Sequence, residues 1–62
     1  MFSENLKILR TAHNLKQKDL ADRLGVDQRT VSAWENNICE PDIKTLLKLK
    51  EIFNESIDDL LE

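Results

Sequence analysis

Residues 17–36 read QKDLADRLGVDQRTVSAWEN, and the spacing within this stretch decides the fold. Leu20 and Leu24 lie four residues apart and share one face of a helix, with Ala21 beside them. The alanine leaves room for a second helix to cross closely. Gly25, the only glycine of the chain, follows the apolar run directly. A helix commonly ends in a left-handed residue, and glycine adopts that conformation without steric penalty. Val26 then plugs the space between two helices. Asp27 is a good N-cap, its carboxylate placed for the free amides of the next turn. In the second helix Val31 and Trp34 bury one face. At about 100° per residue, Arg29, Ala33 and Asn36 face the other side, with Ser32 on the flank.

Two short amphipathic helices joined by so tight a turn make a helix-turn-helix, the arrangement in which a second helix enters the DNA major groove. Gln28 and Arg29 fall in the first turn of that helix, the part that reaches base edges.

The rest of the chain reads as three more helices and no strands. The first spans about Ser3 to His13, with Ser3 as N-cap, Glu4 in the first turn and Phe2, Leu6 and Leu9 as its inward stripe. Asn14 closes it, since asparagine tolerates the left-handed region better than most residues. His13 is expected to interact with the last carbonyls of that helix. Leu15 is an apolar connector. The helix-turn-helix follows, at about Gln17–Leu24 and Gln28–Asn36. The stretch Asn37–Pro41 is a loop. Asp42 caps a fourth helix over about Ile43–Phe53, whose apolar positions are Ile43, Leu46, Leu47, Leu49, Ile52 and Phe53. Asn54 ends it. Ser56 caps a short fifth helix with Ile57, Leu60 and Leu61 apolar and with Asp58 and Asp59 where the helix dipole favours acids. The expected class is therefore all-α, one compact five-helix domain over residues 1–62, with no linker, repeat or low-complexity segment.

Sixty-two residues bound what such a domain can do. A chain of this size buries only about 60% of its unfolded surface, so stability rests on packed helices, helped by self-association. Cys39 is the only cysteine and has no internal partner, which fits a reducing cytosol and an incidental loop thiol better than a redox sensor. No apolar run approaches the roughly 20 residues of a membrane span, and no secretory signal is visible. The formal net charge is −3, but it is uneven. Residues 51–62 carry five acids and no base, whereas residues 1–50 carry nine bases and seven acids, a net of +2. That asymmetry suggests a mildly basic reading face and an acidic far end, with weak non-specific attraction to nucleic acid. One histidine, one cysteine, no tyrosine and no glycine-rich phosphate loop leave no catalytic constellation, and nothing calls for a cofactor or a metal.

The stretches LKILR, LKQKDLADRLGV, TVSAWEN, PDIKTLLKLKEIF and SIDDLL closely resemble, in order and spacing, the phage repressor/Cro family of bacterial regulators, also called the Xre family. The resemblance covers nearly the whole chain. It implies a lambda-repressor-like five-helix domain that binds operator DNA, usually as a two-fold dimer. By the same resemblance, Gln17 matches a glutamine that clamps a phosphate at the start of the second helix. Gln28, Arg29, Thr30, Ser32 and Ala33 match positions that touch bases or phosphates. Arg10 and Glu35 match a pair that bonds the first helix to the third. The chain also departs from the pattern. Lys16 stands where a serine or threonine often caps the second helix, at a cost of typically about 1 kcal/mol, which Asp19 in the first turn offsets in part. The loop Asn37-Ile38-Cys39-Glu40 lacks the basic residues common there. Ala33 can meet a thymine methyl but cannot hydrogen-bond a base.

The sequence thus leads to an expected sequence-specific, double-stranded-DNA-binding transcriptional regulator, a repressor and not an enzyme, acting in the cytoplasm on a pseudo-palindromic operator. Gln28 would read adenine, and Arg29 guanine or a phosphate. Lys16, Gln17, Lys18, Thr30 and Lys44 would grip phosphates, although Lys44 serves solubility equally well, and Ser32, Ala33 and Asn36 complete the face. Ile57 and Leu61 are the candidate contacts of a homodimer. The alternative is a protein-interaction module of antitoxin or anti-repressor type on the same fold, suggested by the acidic balance and the non-basic loop. A third reading makes the chain one domain of a longer regulator.

Overall fold

The structure, a computed structural model, describes residues 2–62. They form five helices: α1 (Phe2–Ala12), α2 (Gln17–Leu24), α3 (Gln28–Glu35), α4 (Ile43–Phe53) and α5 (Ile57–Leu61). Helix starts follow the capping residues. The Asp27 carboxylate accepts the Arg29 amide at 2.8 Å, that of Asp42 accepts the Thr45 amide at 2.9 Å, and the Ser56 hydroxyl accepts the Asp59 amide at 3.1 Å. Lys16 has no acceptor to offer α2. Asp19 reaches back instead and accepts the Lys16 backbone amide at 2.9 Å, which supplies one half of a capping box.

The helix ends share one device. Asn14, Gly25, Asn37 and Asn54 all adopt left-handed backbone, with φ of 57°, 72°, 59° and 54°. After each, the next amide bonds back five residues: Leu15 to the Arg10 carbonyl at 3.0 Å, Val26 to Ala21 at 3.0 Å, Ile38 to Ala33 at 2.9 Å and Glu55 to Lys50 at 3.2 Å. This is the Schellman ending, which normally seats an apolar residue against the helix it closes. Leu15 and Val26 do pack against the core, whereas Ile38 stays 75% exposed.

Every helix contributes to one core: Phe2 and Leu6 from α1, Leu20, Ala21 and Leu24 from α2, Val31 and Trp34 from α3, Leu49 and Phe53 from α4, and Leu60 from α5. Leu6, Leu20, Val31, Leu49 and Leu60 are completely buried, and each such side chain stabilises the fold by roughly 2 kcal/mol. Trp34, the single tryptophan, is 4% exposed and ties α3 to this core. At the far end, Asn5 of α1 donates to the Asp59 and Leu60 carbonyls at 3.2 and 3.3 Å and closes α5. The His13 ring lies 5.0 Å from that of Phe53, and its Nδ1 is 2.9 Å from the Leu9 carbonyl oxygen.

Two expectations need correction. Ser3 is not an N-cap, because α1 already includes Phe2 and buries Ser3 in its first turn. The physical reason is that Phe2 must be helical to share a face with Leu6, four residues on, and to reach the core. The apolar stripe of α4 is also narrower than its sequence suggests. Leu49 and Phe53 are buried and Leu46 and Ile52 pack beside them, but Ile43 and Leu47 are 74% and 46% exposed. Those two lie one turn apart on a face that no other helix covers.

Candidate nucleic-acid interface

The second helix of the α2–turn–α3 unit is anchored from behind and open in front. Ala21, 1% exposed, provides the close approach expected of it, and Val31 and Trp34 hold α3 against α2 and the core. Gln28 and Arg29, in the first turn of α3, are exposed, and so are Lys16, Lys18, Asn36 and, on α4, Lys44. Gln17, Thr30, Ser32 and Ala33 are partly buried on the flanks. The fold therefore leaves every one of the expected contact residues at least partly accessible.

Four of them are already engaged. The Arg29 guanidinium turns back on its own helix cap: Nε and Nη2 each lie 3.2 Å from an oxygen of the Asp27 carboxylate. Both partners are well exposed, at 92% and 55% of their side-chain surface. Hydrogen bonds from the Arg29 side chain, then its backbone amide, hold the Asp27 carboxyl below its ordinary range, and the same contact raises the Arg29 pKa. The Asn36 amide nitrogen donates to the Ser32 carbonyl at 2.9 Å and lies 3.2 Å from its hydroxyl oxygen. The Gln17 Nε2 donates to Glu35 at 3.2 Å. Any phosphate contact by Gln17 would fall to the second hydrogen of that nitrogen or to the backbone amides at the start of α2.

That last bond belongs to the network which sets the angle of α3. Arg10 of α1 grips Glu35 in a two-pronged pair, Nε to Oε2 at 2.6 Å and Nη2 to Oε1 at 3.1 Å. The two side chains are 11% and 4% exposed. Arg10 Nη1 also donates to the Leu15 carbonyl at 2.8 Å, so one guanidinium joins α1, the α1–α2 connection and α3. The pair was expected, but its links to Gln17 and Leu15 were not. Their sequence signal is only that both residues flank the entry to α2, where the chain passes over Arg10.

Among the described residues, no group of three or more histidines, cysteines, aspartates or glutamates could hold a metal ion. Nor is any described helix long and apolar enough to cross a membrane. Cys39 is an exposed free thiol in the α3–α4 loop. The dimer candidates differ from each other: Leu61 is 51% exposed, whereas Ile57 is partly buried. What the α2–α3 unit offers is a set of accessible amide, guanidinium and ammonium donors.

A family model described as Helix-turn-helix matches residues 6–60. The chain is 44% identical over 62 residues to the HTH-type transcriptional regulator YqaE of Bacillus subtilis, covering all of this chain and 53% of that protein. Its backbone is similar to the crystal structure of a transcriptional regulator from Listeria innocua, with a TM-score of 0.92 and 40% identity over 97% of this chain and 56% of that one. It is also similar to SinR, the master regulator for biofilm formation, solved in complex with DNA, with a TM-score of 0.88 and 27% identity over the full length of both chains. The chain spans about half the length of the first curated relatives it matches.

Proposed function

The chain belongs to the helix-turn-helix family of transcriptional regulators, and from that premise we propose that it binds double-stranded DNA sequence-specifically and represses transcription by occupying its operator. The observation that carries this reading is the first turn of α3, where Gln28 and Arg29 stand exposed on a helix whose other face is locked by Val31, Trp34 and Glu35. With α3 in the major groove, Gln28 pairs with adenine, Arg29 with guanine, and Ala33 packs on a thymine methyl. Lys16, Lys18, Thr30, Lys44 and the start of α2 at Gln17 hold phosphates and fix the register. Ser32 and Asn36, bonded to each other, support the rear of the face.

A single copy makes few base contacts. The working form is accordingly a dimer on a pseudo-palindrome, its half-sites about 34 Å or one helical turn apart. Leu61, with Ile57 behind it, is the exposed apolar position on α5 that a second copy would cover. The test is selection of sites from a random duplex pool at low salt, followed by titration of the winning site against salt. An enriched two-fold site whose affinity falls steeply with salt is the expected result. No enrichment by the folded chain would overturn the reading. It would favour a protein-binding module on the same fold, which the acidic residues 51–62 and the charge-neutral Asp27–Arg29 tip would suit.

A further inference from the structure

The Asp27 carboxylate performs two tasks at one place. Its Oδ1 accepts the Arg29 backbone amide at 2.8 Å and so caps α3. Oδ1 and Oδ2 also receive the Nε and Nη2 of the same residue, each at 3.2 Å. A guanidinium has five N–H donors arranged along two edges. The fork uses the Nε–Nη2 edge. It leaves the Nη1–Nη2 edge outside, on a side chain that is 92% exposed at the tip of α3. A guanine presents O6 and N7 to two roughly parallel N–H donors, which is what that free edge supplies.

Resting on the DNA-binding reading above, we propose that Asp27 is a specificity-determining residue, which aims the Arg29 guanidinium at guanine and keeps it from serving as a general phosphate grip. Two physical effects act together. The fork removes rotamer freedom from a long side chain before any base is met, so the correct contact costs less ordering. The carboxylate also cancels the arginine charge at the α3 tip and repels phosphates, which weakens every docking in which Arg29 merely touches the backbone. Specificity is a difference of affinities, and a repulsive element against wrong sites raises it as surely as a new attractive contact. Hydrogen bonds from Arg29 hold the Asp27 carboxyl below its ordinary range, so the fork is fully charged at neutral pH.

The test compares wild type with Asp27→Asn and Asp27→Ser. Both replacements cap helices well, but neither can form the charged fork. The probes are the duplex selected by the wild type, the same duplex with each other base at the position whose preference Arg29→Ala relaxes, and a random duplex. Both variants should bind the random duplex several-fold tighter at low salt, with a steeper salt slope. Their preference for guanine at that position should fall about tenfold, within what one bidentate pair supplies. In the Arg29→Ala background, Asp27→Asn should leave base preference unchanged. Unaltered guanine preference in both variants, or a loss that persists without Arg29, overturns the proposal while leaving the DNA-binding reading intact. A folded wild-type chain that binds no duplex overturns that reading and this proposal with it.

Discussion

An arginine–carboxylate pair stands at each end of α3, to opposite effect. At its C-terminal end Arg10 meets Glu35 with the side chains 11% and 4% exposed. At its N-terminal end Arg29 meets Asp27 with both side chains open to solvent, at 92% and 55%. The first pair joins residues 25 apart in the chain and determines where α3 sits. The second joins residues two apart and determines only where one guanidinium points. The lesson is that burial, more than pairing, decides the role of an arginine–carboxylate contact. A desolvated pair must be kept whole or replaced whole, because a lone buried charge is expensive. A solvated pair contributes little to stability, so its effect falls on where the exposed side chain points.

The comparison breaks first at the buried end. Glu35→Ala should destabilise the chain by about 3 kcal/mol, because it strands the Arg10 charge with only the Leu15 carbonyl. In a domain of this size that lowers the melting midpoint by more than about 10 °C, readable by circular dichroism. The double replacement Arg10→Met with Glu35→Leu should recover most of that loss, since an apolar pair of similar volume avoids the desolvation cost. Failure of the double variant to recover would mean that the bonds to Gln17 and Leu15 carry more weight than the ion pair itself. Next comes Gln17→Ala, which removes one hydrogen bond to Glu35 and should cost about 1 kcal/mol in a urea titration.

The exposed end responds differently. Arg29→Ala should leave the melting midpoint within experimental error of wild type, yet lower affinity for the selected duplex about tenfold and relax preference at one base. A marked loss of stability instead would show that the two ends are more alike than their exposures suggest. The smallest effect is on acid stability. The folded Asp27 carboxyl has a pKa below its ordinary value of 3.8. Its contribution is therefore complete above that value and is lost as pH falls through the lowered folded pKa. Asp27→Asn should flatten the stability profile only on that acid side. Asp42, lowered mainly by hydrogen bonding from Thr45, should behave the same way at the start of α4.

The limits of sequence reading follow the same divide between backbone and side chain. Helix positions were legible to within about a residue because capping and left-handed residues are local signals, and Asp27, Gly25, Asp42, Asn54 and Ser56 stand where the physics of helix ends requires them. The Arg10–Glu35 pair came from resemblance, since no spacing rule joins residues so far apart. The inward faces of α2 and α3 were legible, but the surroundings of several other side chains were not. Ile43 and Leu47 carry the hydropathy of core residues, but no neighbouring helix covers their face. Ser3 has the chemistry of a cap, and the burial of Phe2 overrode it. Gln17, Asn36 and Arg29 are expected contact residues, and each has a partner in the folded chain that only tertiary geometry or a chosen rotamer reveals.

The placement of Trp34 has a practical consequence. The chain has one tryptophan and no tyrosine, and that indole is 4% exposed against the core on the inner face of α3. Its emission is thus an optical gauge of whether α3 is docked. It should shift to the red when α3 leaves the core and stay nearly still when a ligand meets the outer face. Any experiment that mistakes loss of fold for loss of binding can be checked in the same cuvette, without a label.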